Sequence, residues 1–333
     1  MTINSQVFCP VDYDRDGKHM AMLEVPQSTN SSGWATEYVP MTVVKHGSGP
    51  TALLFGGNHG DEYEGPVTLT RLARALQPEQ VQGRIIILPM LNPPAVAAGT
   101  RLSPLDGRNM NRAFPGRRDD TLTGIIADYV TRALFPLADL VVDIHSGGRS
   151  AHFLPSVDMH RVPDDAQMQR MLESGLAWGA PYVFVYRDVA GEGLLQSSAE
   201  ALGKTMLGTE IGSASQFGKG TLSVVSRGVC NVLRLHGILD GRPDAPAQPP
   251  QIVEAGERED YIMAPISGIF EPFCELGDQV RAGESVGQIL SVEQPFAEPL
   301  PVLARTSGLL FSRRAFPLTA QGDCLATLAR LRL

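Results

Sequence analysis

The sequence predicts an α/β protein, a mostly parallel sheet covered by helices, followed by a small all-β unit. Three observations carry that reading. Short apolar runs bounded by glycine turns alternate with helix-period segments over residues 51–239, as in strands buried on both faces of a parallel sheet. GRPDAPAQPPQ (241–251) then interrupts the pattern with Pro and Gly and no period, which marks a domain boundary. Beyond it the chain reads as short strands and turns without a helix.

Residues 1–50 predict an extended, mostly β opening, with strand-like stretches in WATEYVPMTVVKHG (34–47) and a turn at Gly47-Ser48-Gly49-Pro50. The apolar run 51–55 is a buried strand that stops at Gly56-Gly57. Leu69, Leu72, Ala73 and Leu76 predict a helix over 66–76. Pro66 suits its first turn, where a missing N–H costs nothing. Further strands follow at 84–88, 140–145, 182–186 and 204–211, and helices at 124–135, 164–178, 194–202 and 222–239. Three units result: an α/β domain over 1–240, a linker over 241–252 and a β domain over 253–333. The β domain carries a faint repeat, Ser267-Gly268-Ile269-Phe270 returning as Ser307-Gly308-Leu309-Leu310. Two β units of that size bury no core singly, so they are expected to pair into one barrel-like sandwich.

Composition narrows the function. The chain has 333 residues, 43% of them hydrophobic and 19% charged, the balance of a water-soluble protein with a real core. A net charge of −8 argues against nucleic-acid or anionic-membrane partners, which require a basic face. No apolar run approaches the roughly 18 residues of a membrane span. The first 25 residues lack a basic flank, an apolar stretch and a cleavage site, so no secretory leader is expected. Cys9, Cys230, Cys274 and Cys324 are far apart and form no CxxC. Neither a cysteine metal site nor a disulfide framework is indicated, and a cytoplasmic location is expected.

Four segments could carry chemistry. GGNHGDEYEG (56–65) begins where a buried strand ends, the position at which open α/β sheets build their sites. Its His59 and Glu62 are both good zinc ligands, although an H-x-x-E pair alone equally describes a solvated loop. VVDIHSGG (141–148) ends a second strand with His145, and Asp143 lies two residues earlier on the same strand face, placed to orient it. Two histidines and a carboxylate with a vacant fourth position are the ligand set of a hydrolytic zinc site. The long segment 91–116 holds Arg101, Arg108, Asn109, Asn111 and Arg112. Guanidinium forks bind carboxylates and polarise carbonyls. Glu210, in GTEIG at another strand end, fits a general base. Residues 147–149 and 190–196 follow strands and are candidates for shaping an acyl pocket.

Together these pieces resemble the succinylglutamate desuccinylase/aspartoacylase family, a branch of the zinc carboxypeptidase fold. The match runs in order over residues 52–212. The resemblance implies one zinc ion per chain held by His59, Glu62 and His145, with Glu210 as the base. It makes Asn111-Arg112, in NMNRAFPG, the grip on a substrate carboxylate, with Arg108 and Asn109 beside it. Arg101 matches the carbonyl-polarising arginine, and Arg108 is the alternative because the intervening loop varies in length. The implied activity is hydrolysis of a small N-acyl amino acid. GGNHGDEYEGP and LDGRNMNRAFPG are most similar to the branch that deacetylates N-acetyl-diaminobutyrate in bacterial ectoine breakdown. A desuccinylase or other deacylase, a metallocarboxypeptidase, and a non-catalytic binding protein on the same scaffold are the competing readings. APISGIFEPFCELGDQVRAGESVGQIL (264–290) is similar to a biotinyl/lipoyl half-barrel, but LSVEQPFAEP (290–299) lacks the acceptor lysine. Carrier function is therefore not expected, and a structural role is. The residues leave homo-oligomerisation open.

Overall fold

A computed structural model describes residues 5–187, 193–213, 217–246 and 248–332. The chain opens with a long antiparallel hairpin, β1 (Gly17–Thr29) and β2 (Ser32–His46). The alternation then begins: β3 (Thr51–Gly56), α1 (Glu64–Ala75), β4 (Gly83–Leu88), α2 (Pro93–Ala98), α3 (Leu122–Tyr129), β5 (Leu140–His145), β6 (Ala151–Phe153), β7 (Ser156–His160), α4 (Asp165–Trp178), β8 (Tyr182–Tyr186), α5 (Leu195–Glu200), β9 (Thr205–Glu210), α6 (Lys219–Leu235) and β10 (Gln251–Ala255). In the sheet these strands run β1-β2-β4-β3-β5-β9-β7-β8-β10. The central β4, β3, β5 and β9 are parallel, whereas β7 runs antiparallel to β9. The sheet is thus mixed and mostly parallel.

Every residue of β3 and β5 is buried, because helices cover both faces. Gly65 of α1 packs against Ile144, and Gly175 of α4 packs against Met159 and Val183. Neighbouring residues on a strand face opposite ways. Asp143, Gly208 and Asp158 therefore point to the other face, where Gln196 of α5 lies over Gly208. That second face carries the polar residues of the site.

Several local features differ from the sequence reading, the unexpected strands β6 and β7 among them. The helix expected over 124–135 begins at Leu122, widens into a π turn over Val130–Leu134 and closes in a 3-10 turn at Phe135–Leu137. Pro136 cannot donate a backbone hydrogen bond, so a regular helix cannot continue there. The long segment 91–116 is also less irregular than its composition suggests. It contains α2, where Asn92 Oδ1 accepts from Ala95 N at 3.4 Å and Gly99 ends the helix in a left-handed conformation.

The C-terminal part holds β11 (Tyr261–Met263), β12 (Gly268–Pro272), β13 (Gln279–Val280), β14 (Ser285–Leu290), β15 (Leu300–Leu303), β16 (Gly308–Arg314), β17 (Leu318–Thr319) and β18 (Cys324–Leu331). One layer is the sheet β15-β14-β12-β17, and the other joins β11, β18, β16 and β13. Phe270, Val286, Ile289, Leu310, Leu325 and Leu328 form the core between them. Strand β10 lies parallel to β8 and antiparallel to β18, so the large sheet runs on into this unit. Among the described residues, no helix is long and apolar enough to cross a membrane.

Candidate active site

The carboxyl ends of β3, β5 and β9 lie side by side. The chain turns sharply after β3, with Gly57 at φ +63°. A Cβ on Gly60 would stand 1.9 Å from the Ala95 carbonyl oxygen, so only glycine lets this turn press against α2. The turn delivers His59 and Glu62, and β5 delivers His145 at its last residue.

His59 Nδ1 lies 2.7 Å from Glu62 Oε1, and His145 Nδ1 lies 2.8 Å from Glu62 Oε2. All three residues are buried, and their ligand atoms lie within 4.8 Å of one another. The other ring nitrogens are held from behind. His145 Nε2 stands 2.7 Å from Asp143 Oδ2, which also accepts from Asn58 Nδ2 at 2.8 Å. His59 Nε2 stands 3.1 Å from Asn109 Oδ1. An imidazole that donates its Nε2–H to such an acceptor keeps its Nδ1 lone pair for a metal. Both imidazoles here present Nδ1 to the shared centre. Two neutral imidazoles and one carboxylate suit zinc, so His59, Glu62 and His145 form a group able to hold a metal ion.

Charge within the cluster is strongly coupled. Burial acts to raise Glu62, but the His59 and His145 imidazoles outweigh it and hold the carboxyl well below the usual range. Burial acts to lower His145, yet Asp143 and Glu62 outweigh it and raise the imidazole well above its ordinary value. His59 goes down, through burial first and Arg101 in support, against the pull of Glu62. Glu210 goes well up, through burial first and then the carboxylates of Glu62 and Asp158. Its Oε2 is a buried oxygen with no hydrogen-bond partner among the described residues.

The long loop distributes its side chains unequally. Arg101 Nη1 lies 3.6 Å from Glu62 Oε1 and 3.3 Å from His59 Nδ1. Arg108 instead pairs with Asp120 at 2.7 Å and donates to Thr121 Oγ1 at 3.2 Å. Asn109 Oδ1 accepts from the Asn111 backbone N–H at 2.9 Å, so it braces both His59 and the next turn. Asn111 is buried, and its Oδ1 accepts from Leu195 N at 2.9 Å. Arg112 is exposed and donates to the Asn111 carbonyl oxygen at 2.6 Å. Of the segment 190–196, residues 190–192 lie outside the described residues; Gln196 is buried in α5. Two buried polar residues beside the site, Asn58 and Asp158, are not singled out by the sequence reading, and Gln196 enters it only as the end of the segment 190–196. Only Asn58, immediately before His59, carried a signal of its own.

A glycine-turned strand end that carries buried histidines and a carboxylate defines an α/β protein with a group able to hold a metal ion. The family model described as the succinylglutamate desuccinylase/aspartoacylase catalytic domain matches residues 48–236. The chain belongs to that family. It is 39% identical, over 98% of its length and 96% of the relative's, to the N-alpha-acetyl-L-2,4-diaminobutyric acid deacetylase of Halomonas elongata. The crystal structure of succinylglutamatedesuccinylase/aspartoacylase from Rhodobacter sphaeroides superposes with a TM-score of 0.94 at 39% identity, covering 99% of this chain and 100% of that one. The product-bound ectoine utilization protein EutE (DoeB) of Ruegeria pomeroyi gives 0.93 at 36% identity, covering 98% of this chain and 100% of that one.

Proposed function

We propose that this chain is a zinc-dependent amidohydrolase that removes an acetyl group from an N-acyl amino acid, with N-acetyl-L-2,4-diaminobutyrate as its substrate. The observation that carries the reaction type is the convergence of His59, Glu62 and His145 within 4.8 Å beside Glu210. The near full-length identity to a deacetylase supports the choice of substrate.

His59, Glu62 and His145 would hold one zinc ion, which supplies Lewis-acid charge and acidifies water. Glu210 takes a proton from the attacking water and passes it to the leaving amine. Its raised proton affinity suits a group that must gain and then release a proton. Arg101 stabilises the charge that develops on the acyl oxygen. Of the two candidate arginines it is the one beside Glu62, while Arg108 is occupied by Asp120. Asn111 and Arg112 grip the α-carboxylate of the amino-acid half, which orients the amide for attack. The products are acetate and a free amino acid.

The test is hydrolysis by chelator-stripped protein, with and without added zinc, of N-acetyl, N-succinyl and N-formyl amino acids and of a peptide with a free carboxyl terminus. Turnover of the N-acetyl compounds, lost on chelation and restored by zinc, is expected. Cleavage of the peptide alone, or failure to take up metal, overturns the reading.

A further inference from the structure

Asp158 is a buried carboxylate that the proposed reaction does not use. It is 6% exposed. It lies across from Gly208 in the pairing of β7 with β9, and Asp143 lies across from Gly208 on the other side. Glu210 is two residues along the same face of β9, opposite His145. A Cβ on Gly208 would fall 2.7 Å from both Asp158 oxygens and 1.9 Å from Gln196 Nε2. The carboxylate and the amide therefore stand directly over a bare Cα, and any side chain at 208 would displace them.

The amide is oriented. Tyr186 OH donates to Gln196 Oε1 at 3.0 Å, so Gln196 Nε2 turns to Asp158 Oδ2 at 2.7 Å. Among the described residues, that neutral amide is the hydrogen-bond donor to Asp158, and no Lys or Arg pairs with it. A carboxylate buried without a cation is costly to the fold. Its neighbours on that face include two more carboxylates, Asp143 and Glu210, with His145 paired to Asp143 and His160 paired to Glu200. An excess of carboxylate on this face disfavours an anionic side chain and favours an ammonium group. The residue next to Gln196 carries the backbone N–H that fixes Asn111. The proposed carboxylate grip and the Asp158–Gln196 pair are thus joined through adjacent residues, as suits one short amino acid with a charge at each end.

We infer that Asp158, oriented by Gln196, binds the side-chain ammonium group of the substrate and selects N-acyl amino acids with short cationic side chains. The inference rests on the deacylase reading above.

The experiment compares zinc-loaded wild type and Asp158→Asn on N-acetyl-2,4-diaminobutyrate and on N-acetyl-2-aminobutyrate, its neutral counterpart. Zinc content and thermal midpoint are measured on both proteins. Wild type is expected to favour the cationic substrate strongly in kcat/KM. Asp158→Asn is expected to shrink that ratio on the order of 100-fold, as loss of a buried charge pair does. A second measurement needs no variant: free 2,4-diaminobutyrate inhibits wild type more tightly than 2-aminobutyrate by roughly 10-fold or more. Parallel losses on both substrates with the ratio preserved, or equal inhibition by the two amino acids, overturn the assignment of Asp158. A wild type that prefers neutral or anionic side chains overturns this inference but leaves the deacylase reading standing. A wild type inert on every N-acyl amino acid overturns both.

Discussion

Glu210 sits directly across from His145 in the parallel pairing of β9 with β5. Side chains alternate along a strand, so a slip of one residue would turn Glu210 to the opposite face. The register therefore places a partly buried carboxylate beside the metal group without needing a hydrogen bond to hold it there. Glu210→Gln keeps the shape and removes the proposed base. Zinc content is expected to stay the same, and kcat to fall about 10²–10⁴-fold, the usual share of general acid–base catalysis. Metal analysis alongside steady-state kinetics checks both halves. A variant retaining most of its turnover removes Glu210 from the role of base.

Asp143 is fully buried, and among the described residues its hydrogen-bond partners are His145 Nε2 and Asn58 Nδ2. Its effect must reach the metal through the imidazole. Asp143→Asn is expected to weaken zinc affinity by about 10–100-fold, the typical loss when such a partner is removed. Competition against a chromophoric chelator reads this directly. Unchanged affinity would mean that β5 alone fixes the His145 ring.

How much of this was legible beforehand differs by residue. His145 and Glu210 each end an apolar strand before a glycine turn, and His59 and Glu62 lie in the glycine-rich turn after another. None of these signals is specific alone, and it is their occurrence together at strand ends that makes them legible. That such residues meet beyond the carboxyl ends of the strands follows from α/β physics, whereas the strand order does not. Asp158 and Gln196 gave no such signal. SVDMH (156–160) carries no turn signal or period, and the antiparallel insertion of β7 beside β9 makes it interior. For Arg101 and Arg108 the resemblance favours the first, but their different surroundings are closed to sequence. Arg108 pairs with Asp120, twelve residues away, whereas Arg101 lies beside Glu62. Long-range pairing of polar groups leaves no periodicity to read.

Asp106 anchors the same loop to α3. Its carboxylate accepts from the Thr123 N–H and hydroxyl, both at 2.9 Å, and from Arg108 N at 3.2 Å. Thr121, at the helix start, makes no side-chain cap of its own, so Asp106 caps α3 from outside. Burial acts to raise its carboxyl, but the bonds from Thr123 outweigh it and bring it below the ordinary value of 3.8. A carboxyl lowered in the folded state adds stability above its unfolded pKa and loses it as pH falls through the folded one. Asp106→Asn is therefore expected to cost about 0.5–2 kcal/mol near neutral pH, with the gap closing below about pH 4. Thermal midpoints of the two proteins from pH 7 downward check the sign. A gap that widens in acid contradicts it.

Phe311 joins the C-terminal β unit to the site-bearing domain. It is fully buried, stacks on Phe184 with ring centroids 4.3 Å apart, and meets the rings of Tyr182 and Phe153 edge-on at 6.0 and 6.3 Å. Phe153 belongs to β6, which follows the His145 turn and pairs with β16 through Ser312 and Arg313. One aromatic cluster thus spans two strands of the main domain and one of the C-terminal unit. Phe311→Ala opens a cavity between them and is expected to cost about 3–5 kcal/mol. Because the rings come from both parts, the whole chain should unfold at lower denaturant in a single transition. Urea titration followed by fluorescence and circular dichroism tests this. Two separated transitions, with the C-terminal strands melting first and the rest unmoved, would show that the stacked rings do not couple the two parts.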